Sequence, residues 1–379
     1  MNKEIYFDNA ATTRPYEEVI EVVNESLREY YNPSSIYNRA ITVSKKIENV
    51  RALLKRSVSA EKGTFVFTSG GTESINTVIQ CMMQKGKRIV TSAYEHDATM
   101  KAVENAERNQ QEIVRIMPSN RKIQLQDIVD AIDEKTALVS LMHVNNEVGH
   151  IIDIATLGKM IKKKNLRTLF HVDAIQSYMK YPIDVEAAQI DFLSISGHKI
   201  HGIKGVGALY VRHAEKFKPL IFGGGQEGGN RSGTENVPGI LALGKAVEIG
   251  LANFEENAKK REELRSYFLE KIAAVPKISI NSEDDGASHI VNISFLGVPA
   301  EILLHSLEAK NIFVSGGSAC SAKKKSSRVL EALRLSDEKR NSAIRFSFST
   351  YNNKEEIDIA VREIESAVSD IRKITKYKG

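Results

Sequence analysis

The sequence contains only two cysteines, Cys81 and Cys320, among its 379 residues. This small number excludes a disulfide framework as the architecture and is typical of proteins from a reducing cytoplasm. Long hydrophobic runs are also absent, since no apolar stretch approaches the roughly 20 residues that a membrane-spanning helix requires. The N-terminal residues contain no apolar segment of signal-peptide length. We therefore expect a cytoplasmic protein without membrane attachment.

The sequence has little excess of charge of either sign. Its 53 Lys and Arg residues are opposed by 48 Asp and Glu residues, and the net charge of +5 is spread along the chain. Direct nucleic-acid binding is not expected, because it is associated with clustered basic residues. Apolar residues make up 42% and charged residues 27%, as in ordinary globular proteins. The length allows two domains, one large and one small.

Short apolar segments alternate with segments of helical period in the first part of the chain. Strands are predicted at residues 65–68, 88–91, 137–142, 168–172, 192–195 and Gly207–Val211. Helical patterns between them include residues 73–84 and 155–164. This alternation predicts an α/β fold with a mainly parallel sheet covered on both faces. A long helical pattern at residues 237–275 is expected to lead into a smaller domain made of the C-terminal third.

Small and polar residues follow the predicted strands. In open parallel sheets, ligands bind outside the carboxyl ends of the strands. The candidate residues at these ends are Gly71, Thr72, His96, Asn146, Asp173 and Lys199.

Lys199 follows the predicted strand at 192–195 and stands between His198 and a glycine-rich segment. A lone lysine is ordinarily a solvated surface charge. A buried lysine instead has a lowered pKa, and its free amine can form a Schiff base with an aldehyde cofactor. Ser196 and His198 can donate hydrogen bonds to a phosphate beside it. The strand-end context favours the Schiff-base lysine.

The other candidates match the needs of a cofactor with a phosphate, a pyridine ring and an aldehyde. Backbone N–H groups near Thr72 at a helix start can bind phosphate, although Thr72 alone would also fit a helix cap. Asp173 can keep a ring nitrogen protonated, or it can be a simple turn former. Gln176, one turn further on, can reach a ring hydroxyl. His96 can stack on the ring or be structural.

The motifs occur in one order over nearly the whole chain. They lie at residues 6–13 (YFDNAATT), 68–74 (TSGGTES), 95–96 (EH), 142–149 (MHVNNEVG), 171–177 (HVDAIQS), 196–199 (SGHK), 223–236 (GGGQEGGNRSGTEN), 318–320 (SAC) and 344–347 (IRFS). Together they resemble the fold-type I, class V pyridoxal-phosphate enzymes, and specifically the NifS/IscS-like cysteine desulfurases. The SGHK motif is typical of the class, and the SAC motif is typical of the desulfurases.

The resemblance implies a fold and a division into domains. The fold-type I architecture has a large domain with a mainly parallel sheet of seven-stranded type between helices, and a smaller α+β C-terminal domain. We expect residues 14–255 to form the large cofactor-binding domain. Residues 1–13 and 256–379 are expected to form the small domain, which carries the cysteine loop. A homodimer is also implied.

The resemblance assigns a role to each candidate residue, and it implies no metal site. Lys199 would hold pyridoxal 5'-phosphate as a Schiff base, Asp173 would pair with the ring nitrogen, Gln176 would contact the ring hydroxyl, and His96 would stack on the ring and move protons. The phosphate would be bound by Gly71, Thr72, Ser196, His198 and, from the other subunit, Thr234. The substrate carboxylate would be bound by Asn146 and Arg345; a guanidinium suits this task, although Arg345 alone would also fit a surface or interdomain ion pair.

Cys320 carries the functional prediction. A free cysteine is commonly a buried small hydrophobe, and Cys81, on the apolar side of its helical pattern, fits that description. Cys320 instead lies among glycine, serine and lysine residues, which argue against burial. The resemblance then implies that Cys320 accepts sulfur from L-cysteine as a persulfide, leaving L-alanine.

Several alternatives stay open. The sulfur acceptor is expected to be a protein of tRNA or cofactor thiolation, or an iron–sulfur scaffold. There are two rival functions. One is that of another class V enzyme, either a selenocysteine lyase or an aminotransferase. The other is that of a non-catalytic sulfur-carrier or interaction protein. An aminotransferase would not need Cys320. Loss of catalysis is disfavoured by the joint presence of Lys199, Asp173, His96 and Arg345.

Overall fold

The structure is a computed structural model that describes residues 4–316 and 327–377. The strands in this part of the chain are β1 Ile5–Tyr6, β2 Thr64–Thr68, β3 Arg88–Ser92, β4 Glu112–Ile116, β5 Thr136–Met142, β6 Leu169–Asp173, β7 Phe192–Ser196, β8 Gly207–Val211, β9 Ile278–Ile280, β10 Ile290–Phe295, β11 Ile312–Phe313 and β12 Ala343–Ser347. The helices are α1 Glu17–Ser26, α2 Asn38–Ser57, α3 Gly71–Cys81, α4 Asp97–Arg108, α5 Leu125–Asp130, α6 Ile154–Lys164, α7 Val237–Ala252, α8 Phe254–Ile272, α9 Ala300–Glu308, α10 Arg328–Ala332, α11 Asp337–Asn341 and α12 Lys354–Thr375.

A seven-stranded sheet formed by described residues organises the large part of the fold. Its strand order is β2-β8-β7-β6-β5-β3-β4. Neighbouring strands are parallel from β7 through β6, β5 and β3 to β4, whereas β8 is antiparallel to both of its neighbours. The predicted α/β fold with a mainly parallel sheet is therefore confirmed. Strands such as β7 are buried along their whole length, as expected when helices cover both faces.

The central strands were predicted because each is a short, continuous apolar run. Strand β4 was not predicted; it lies at the sheet edge, its residues are only partly buried, and its sequence mixes Glu112 and Arg115 with apolar residues. The antiparallel direction of β8 was not predicted either. Strand β8 directly follows the turn after β7, and a connection this short returns the chain antiparallel.

The first residues of the chain pair with strands from its far end. Strand β1 is parallel to β11, and Asp8 forms an isolated bridge with Ser347. Strands β9, β10 and β12 form a separate antiparallel sheet in the order β12-β10-β9. After Asp8 the chain crosses to the large sheet, where Thr13 N donates to His198 O at 2.9 Å. This path brings the segment around Ala10 to the carboxyl ends of the large sheet.

Two large hydrophobic clusters account for much of the core. One packs helices such as α2 and α7 against the large sheet. The other joins Ile5 and Phe7 to α8, α9, α12 and the small antiparallel sheet. We propose that these clusters are the cores of the two domains expected at residues 14–255 and at 1–13 plus 256–379. Helix α10, which was expected in the small domain, nevertheless contributes Val329, Leu330 and Ala332 to the first cluster.

The helical pattern at 237–275 forms two helices. Helices α7 and α8 meet at Asn253 and are bent by 77° relative to each other. Within the described residues, no single helix has both the length and the apolar character needed to cross a membrane, and only this bent pair passes that test jointly.

Candidate active site

A cavity of about 240 Å³ lies at the carboxyl ends of the parallel strands. Its lining includes the predicted cofactor and substrate residues other than Thr234, namely Gly71, Thr72, His96, Asn146, Asp173, Gln176, Ser196, His198, Lys199 and Arg345. These residues are distant in sequence. All except Arg345 meet because β2, β3, β5, β6 and β7 end at this edge of the large sheet, whereas Arg345 comes from β12 of the small sheet.

Lys199 lies at the end of the short 3-10 helix Gly197–Lys199 that follows β7. Its Nζ donates hydrogen bonds to the carbonyl oxygens of Ala10 and Ala11, each at 2.6 Å. Neither alanine was assigned a role from the sequence. Because both acceptors are neutral carbonyls, these two hydrogen bonds position the amine without themselves fixing its charge.

Asp173 is the last residue of β6 and its side chain is 4% exposed. Its Oδ1 accepts a hydrogen bond from Ile175 N at 3.0 Å, so Asp173 also forms the turn that its residue type allows. Burial raises the pKa of Asp173 to about 6, against the lowering effects of that hydrogen bond and of Lys199. A buried carboxyl of this kind would be stabilised as a carboxylate by a cationic partner.

Gln176 lies one turn beyond Asp173. Its Nε2 donates to Ala10 O at 2.9 Å, whereas its Oε1 is buried without a hydrogen-bond partner in the described part of the chain. A buried amide oxygen without a partner costs free energy. The site therefore contains an unsatisfied acceptor beside Asp173.

His96 is the N-cap residue of α4 and its ring lines the cavity. Its Nδ1 accepts a hydrogen bond from Ala98 N at 3.1 Å, so the proton of the neutral ring is on Nε2. Burial lowers the pKa of His96, and the positive charge of Lys199 lowers it further. The ring is thus neutral near pH 7, and its N–H lies on the nitrogen not used for capping.

Glu95, the residue before His96, is buried. Its carboxyl oxygens accept hydrogen bonds from Ser92 Oγ at 2.5 Å and from Met142 N at 2.8 Å. Burial raises the pKa of Glu95 to about 8, and the nearby Asp173 carboxylate contributes to the rise. Glu95 was part of a recognised motif, but no function was assigned to it from the sequence.

The cavity also includes the N-terminus of α3. Gly70 caps this helix with a φ of 149°, a conformation that glycine adopts readily. Thr72 lies inside the first turn and is not the capping residue. Backbone N–H groups at such a helix start are suited to bind an anion. Ser196 and His198 line the same cavity, and His198 Nδ1 lies 3.2 Å from Thr12 Oγ1.

Arg345 lies on β12 and is 2% exposed. Its Nη1 donates to Asn146 O at 2.8 Å, and its Nη2 donates to Asp8 Oδ1 at 2.7 Å. Its Nε and the Asn146 Oδ1 are buried without hydrogen-bond partners among the described residues. Arg345 thus forms an ion pair with a residue of the N-terminal segment, lines the cavity and has one buried donor without a partner in the described part of the chain.

Thr234 lies away from this cavity. It lines a second pocket of about 170 Å³, together with Ser69 and Gly205. The loop that carries it is anchored by Glu227, whose carboxylate accepts from Arg51 Nη1 at 2.7 Å and from Phe67 N at 2.9 Å. Within one subunit, Thr234 is therefore not grouped with the other predicted phosphate-binding residues.

Of the two cysteines, the structure describes Cys81, whereas Cys320 lies outside the described residues. Cys81 is half-buried on α3, its Sγ accepts a hydrogen bond from Lys218 N at 3.4 Å, and burial raises its thiol pKa. A raised pKa disfavours the thiolate and makes Cys81 a poor nucleophile near neutral pH.

A match to the Aminotransferase class-V family model extends over residues 5–359. The chain is 36% identical to the cysteine desulfurase IscS of Dictyoglomus turgidum over 388 residues, which is 100% of this chain and 98% of the relative. It is also 36% identical to the cysteine desulfurase of Nostoc sp. over 99% of this chain and 95% of the relative. The chain belongs to the class-V aminotransferase family, among its NifS/IscS-like cysteine desulfurases.

Solved structures agree with this assignment. A NifS-like protein superposes with a TM-score of 0.91 at 33% identity, covering 97% of this chain and all of the other. SspA in complex with cysteine superposes with a TM-score of 0.81 at 32% identity, covering 93% of this chain and all of SspA. The predictions of the fold-type I architecture and of a cysteine desulfurase are confirmed, whereas the residue roles stay predictions.

Proposed function

We propose that this protein uses pyridoxal 5'-phosphate to convert L-cysteine to L-alanine while transferring the sulfur to Cys320. The observation that carries the proposal is the convergence of Lys199, Asp173 and Arg345 on one cavity. These side chains provide an amine for an aldehyde, a carboxylate for a cationic ring and a guanidinium for a substrate carboxylate. Full-length similarity to cysteine desulfurases supports the same reaction.

The residues of the cavity fit the cofactor. Burial raises the pKa of Asp173 to about 6, so a cationic group beside it, such as a protonated ring nitrogen, would stabilise its carboxylate form. The unsatisfied Gln176 Oε1 lies at the same wall. The α3 N-terminus, with Thr72, provides donors for a phosphate. When bound, pyridoxal phosphate supplies an aldehyde that reacts with the lysine amine and a ring that accepts electrons.

Arg345 and Asn146 would orient the substrate. A guanidinium binds a carboxylate through parallel hydrogen bonds, and Arg345 Nε has no partner within the described residues. Arg345 is held on its other side by the 2.7 Å hydrogen bond to Asp8. The guanidinium is therefore fixed in position before the substrate arrives, which reduces the entropy lost on binding.

Two groups would move protons. Once its amine is free and unprotonated, Lys199 Nζ can take the proton from the substrate α-carbon. The neutral ring of His96, which lines the same cavity, carries its proton on Nε2 and can donate it. The hydrogen bond of His96 Nδ1 to Ala98 N fixes which nitrogen serves as the donor.

Cys320 would complete the reaction. Its thiolate attacks the sulfur of the substrate cysteine, an S–S bond forms, and the carbon–sulfur bond of the substrate breaks with its electron pair left on carbon. A proton on that carbon then gives alanine, and the persulfide remains on Cys320. We further propose that the persulfide passes to an acceptor protein for tRNA or cofactor thiolation, or for iron–sulfur assembly.

The two cysteines provide a matched test. Cys320→Ser should lower alanine formation from L-cysteine at least about 100-fold, because a hydroxyl cannot accept the sulfur. Cofactor binding should be retained, measured by absorption. Cys81→Ser should change neither quantity. A persulfide located by mass spectrometry on Cys81, or full activity of Cys320→Ser, would refute the proposal.

The lysine assignment has a readout that is independent of turnover. Borohydride should reduce the Schiff base and attach the cofactor covalently to Lys199, identified by peptide mapping. Labelling of a different lysine would refute the assignment. Lys199→Ala should abolish both the covalent product and alanine formation.

A further inference from the structure

A second, smaller cavity of about 30 Å³ lies behind Lys199. Its lining contains the cationic side chains of Lys180, Lys199 and Arg261 and, among the described residues, no carboxylate. Two histidines, His201 and His289, also line it, and burial lowers their pKa values so that both rings are neutral near pH 7. Like charges that are gathered in a buried space repel one another in a medium of low dielectric constant. Such an arrangement would be stabilised by a negative charge placed inside the cavity.

The basic groups are held in place by hydrogen bonds to backbone carbonyls. Lys180 Nζ donates to Lys199 O at 2.9 Å, and Arg261 Nη2 donates to Lys180 O at 3.0 Å. In the described part of the chain, Lys180 and Arg261 thus have neutral acceptors and form no ion pair. Burial, together with the positive charges of Arg261 and Lys199, lowers the pKa of Lys180 to about 7.

Buried polar atoms at this cavity lack partners. His289 is 1% exposed, and among the described residues no well-aligned hydrogen bond reaches either ring nitrogen, although the Gln176 backbone carbonyl is close enough to act on the ring. Arg261 is 4% exposed, and its Nε also lacks a partner there. Unsatisfied buried donors are uncommon in native proteins. A single acceptor in the cavity would serve the donors of His289, Arg261 and Lys180.

The size and lining of the cavity define the ligand class. About 10–15 Å³ is enough for one water molecule, so the cavity can hold a monatomic ion but is too small for an amino acid or the cofactor. Water would satisfy donors without compensating the positive charges. An anion would do both, because charge-assisted hydrogen bonds are roughly twice as strong as neutral ones.

We propose that this cavity is a binding site for a single halide-type anion, chloride under ordinary conditions, held by Lys180, Arg261 and His289. The site is separate from the substrate cavity, although Lys199 lines both. Binding of the anion requires the charged form of Lys180, so affinity should rise as pH falls toward 7. The proposal does not depend on the identity of the substrate.

Bromide diffraction provides the primary test on the unmodified holoenzyme. Crystals prepared without chloride and soaked in bromide should show an anomalous peak between Lys180, Arg261 and His289. A map with no bromide peak in this cavity would overturn the proposal, even if bromide is bound elsewhere on the protein. This measurement does not depend on whether any variant folds.

Thermal unfolding gives a second test. At equal ionic strength, replacing gluconate with chloride should raise the Tm of the holoenzyme by roughly 1–3 °C at pH 7 and by less at pH 9. Lys180→Met, which keeps the length of the side chain, should abolish the difference. Lys245→Met, at a partly exposed position on α7 that does not line the cavity, is the control and should retain it. An equal chloride effect in Lys180→Met would overturn the proposal.

Discussion

Arg345 and Asp8 form an ion pair, with Nη2 of the guanidinium 2.7 Å from Oδ1 of the carboxylate. The arginine side chain is 2% exposed and the aspartate side chain is 18% exposed. The group proposed to bind the substrate carboxylate thus already holds a carboxylate of its own chain. Asp8 therefore both positions Arg345 and offsets the positive charge that would attract the substrate.

Asp8→Asn should separate these two effects. The amide oxygen can still accept from Arg345, but the negative charge is lost, so the affinity for carboxylate ligands should increase by about 3- to 10-fold. Titration with the product L-alanine, followed by cofactor absorption, measures this change. The ligand-free enzyme should lose about 1–3 kcal/mol of stability, because a buried guanidinium loses its anionic partner.

The exposed pair of Arg14 and Glu17 provides the control for this experiment. Its side chains are 71% and 65% exposed, so Glu17→Gln should change neither alanine affinity nor stability. If Asp8→Asn folds normally but binds alanine with unchanged or lower affinity, Asp8 does not oppose the substrate carboxylate.

Glu95→Gln should alter how stability depends on pH. The folded-state pKa of Glu95 is raised from 4.5 to about 8, so between these values the folded protein keeps a proton that the unfolded chain releases. The contribution of Glu95 to the free energy of unfolding is therefore largest below pH 4.5. It is lost as pH rises to 8, by up to about 1.4 kcal/mol per pH unit. Glutamine mimics the protonated carboxyl and should remove this loss.

Denaturant unfolding of the holoenzyme between pH 5 and pH 8 measures the effect. The advantage of Glu95→Gln over the unmodified protein should grow with pH. Glu134→Gln, at an exposed position before β5, controls for the removal of one carboxylate. Parallel pH profiles for Glu95→Gln and the unmodified protein would show that Glu95 is ionised in the folded state.

Thr234 is predicted to serve the active site of the partner subunit in a homodimer. A heterodimer of one Lys199→Ala chain and one Thr234→Val chain tests this arrangement. If Thr234 acts across the interface, both substitutions affect the same active site and the other active site is intact. The intact site should bind the cofactor with normal affinity, and the heterodimer should have about half the activity of the unmodified dimer.

If Thr234 instead serves its own subunit, each site of the heterodimer carries one lesion. The only site that retains Lys199 would then bind the cofactor as weakly as the Thr234→Val homodimer. Sedimentation of the unmodified protein as a fully active monomer would contradict the homodimer itself.

The sequence was sufficient to predict the residues at the ends of the central strands. Each strand is a local apolar run, and the polar residue that follows it is adjacent in sequence, as for Asp173 after β6 and Lys199 after β7. Parallel strands then bring these ends together by geometry alone. The positions of these residues could therefore be inferred without knowledge of distant contacts.

Other features depend on contacts between distant parts of the chain. Asp8 and Arg345 are separated by 337 positions, and only the pairing of the N-terminal segment with the small sheets brings them together. Lys180 is buried partly by Arg261, 81 positions away on α8. In the sequence, Lys180 stands between Met179 and Tyr181, and this pattern does not distinguish a buried lysine from an exposed one.

Gly207 is predicted to be required for the shape of the phosphate-binding turn. A Cβ at this position would lie 2.6 Å from Ile195 O and 2.7 Å from Gly70 Cα. These are backbone atoms that cannot move aside by side-chain rotation, so β8 or the turn at Gly70 would have to shift. Gly207→Ala should cost about 1–3 kcal/mol of stability and weaken cofactor binding, because Gly70 caps the helix that faces the phosphate.

Fluorescence titration of the cofactor-free protein with pyridoxal phosphate, together with thermal unfolding with and without cofactor, measures both effects. Gly316→Ala is the control, since among the described residues a Cβ there would meet only Leu304 Cδ1, at an ordinary 3.7 Å. The Tm increase caused by the cofactor should shrink in Gly207→Ala and persist in Gly316→Ala. A Gly207→Ala protein with normal stability and normal cofactor affinity would show that the close approach of β8 to Gly70 does not shape the binding site.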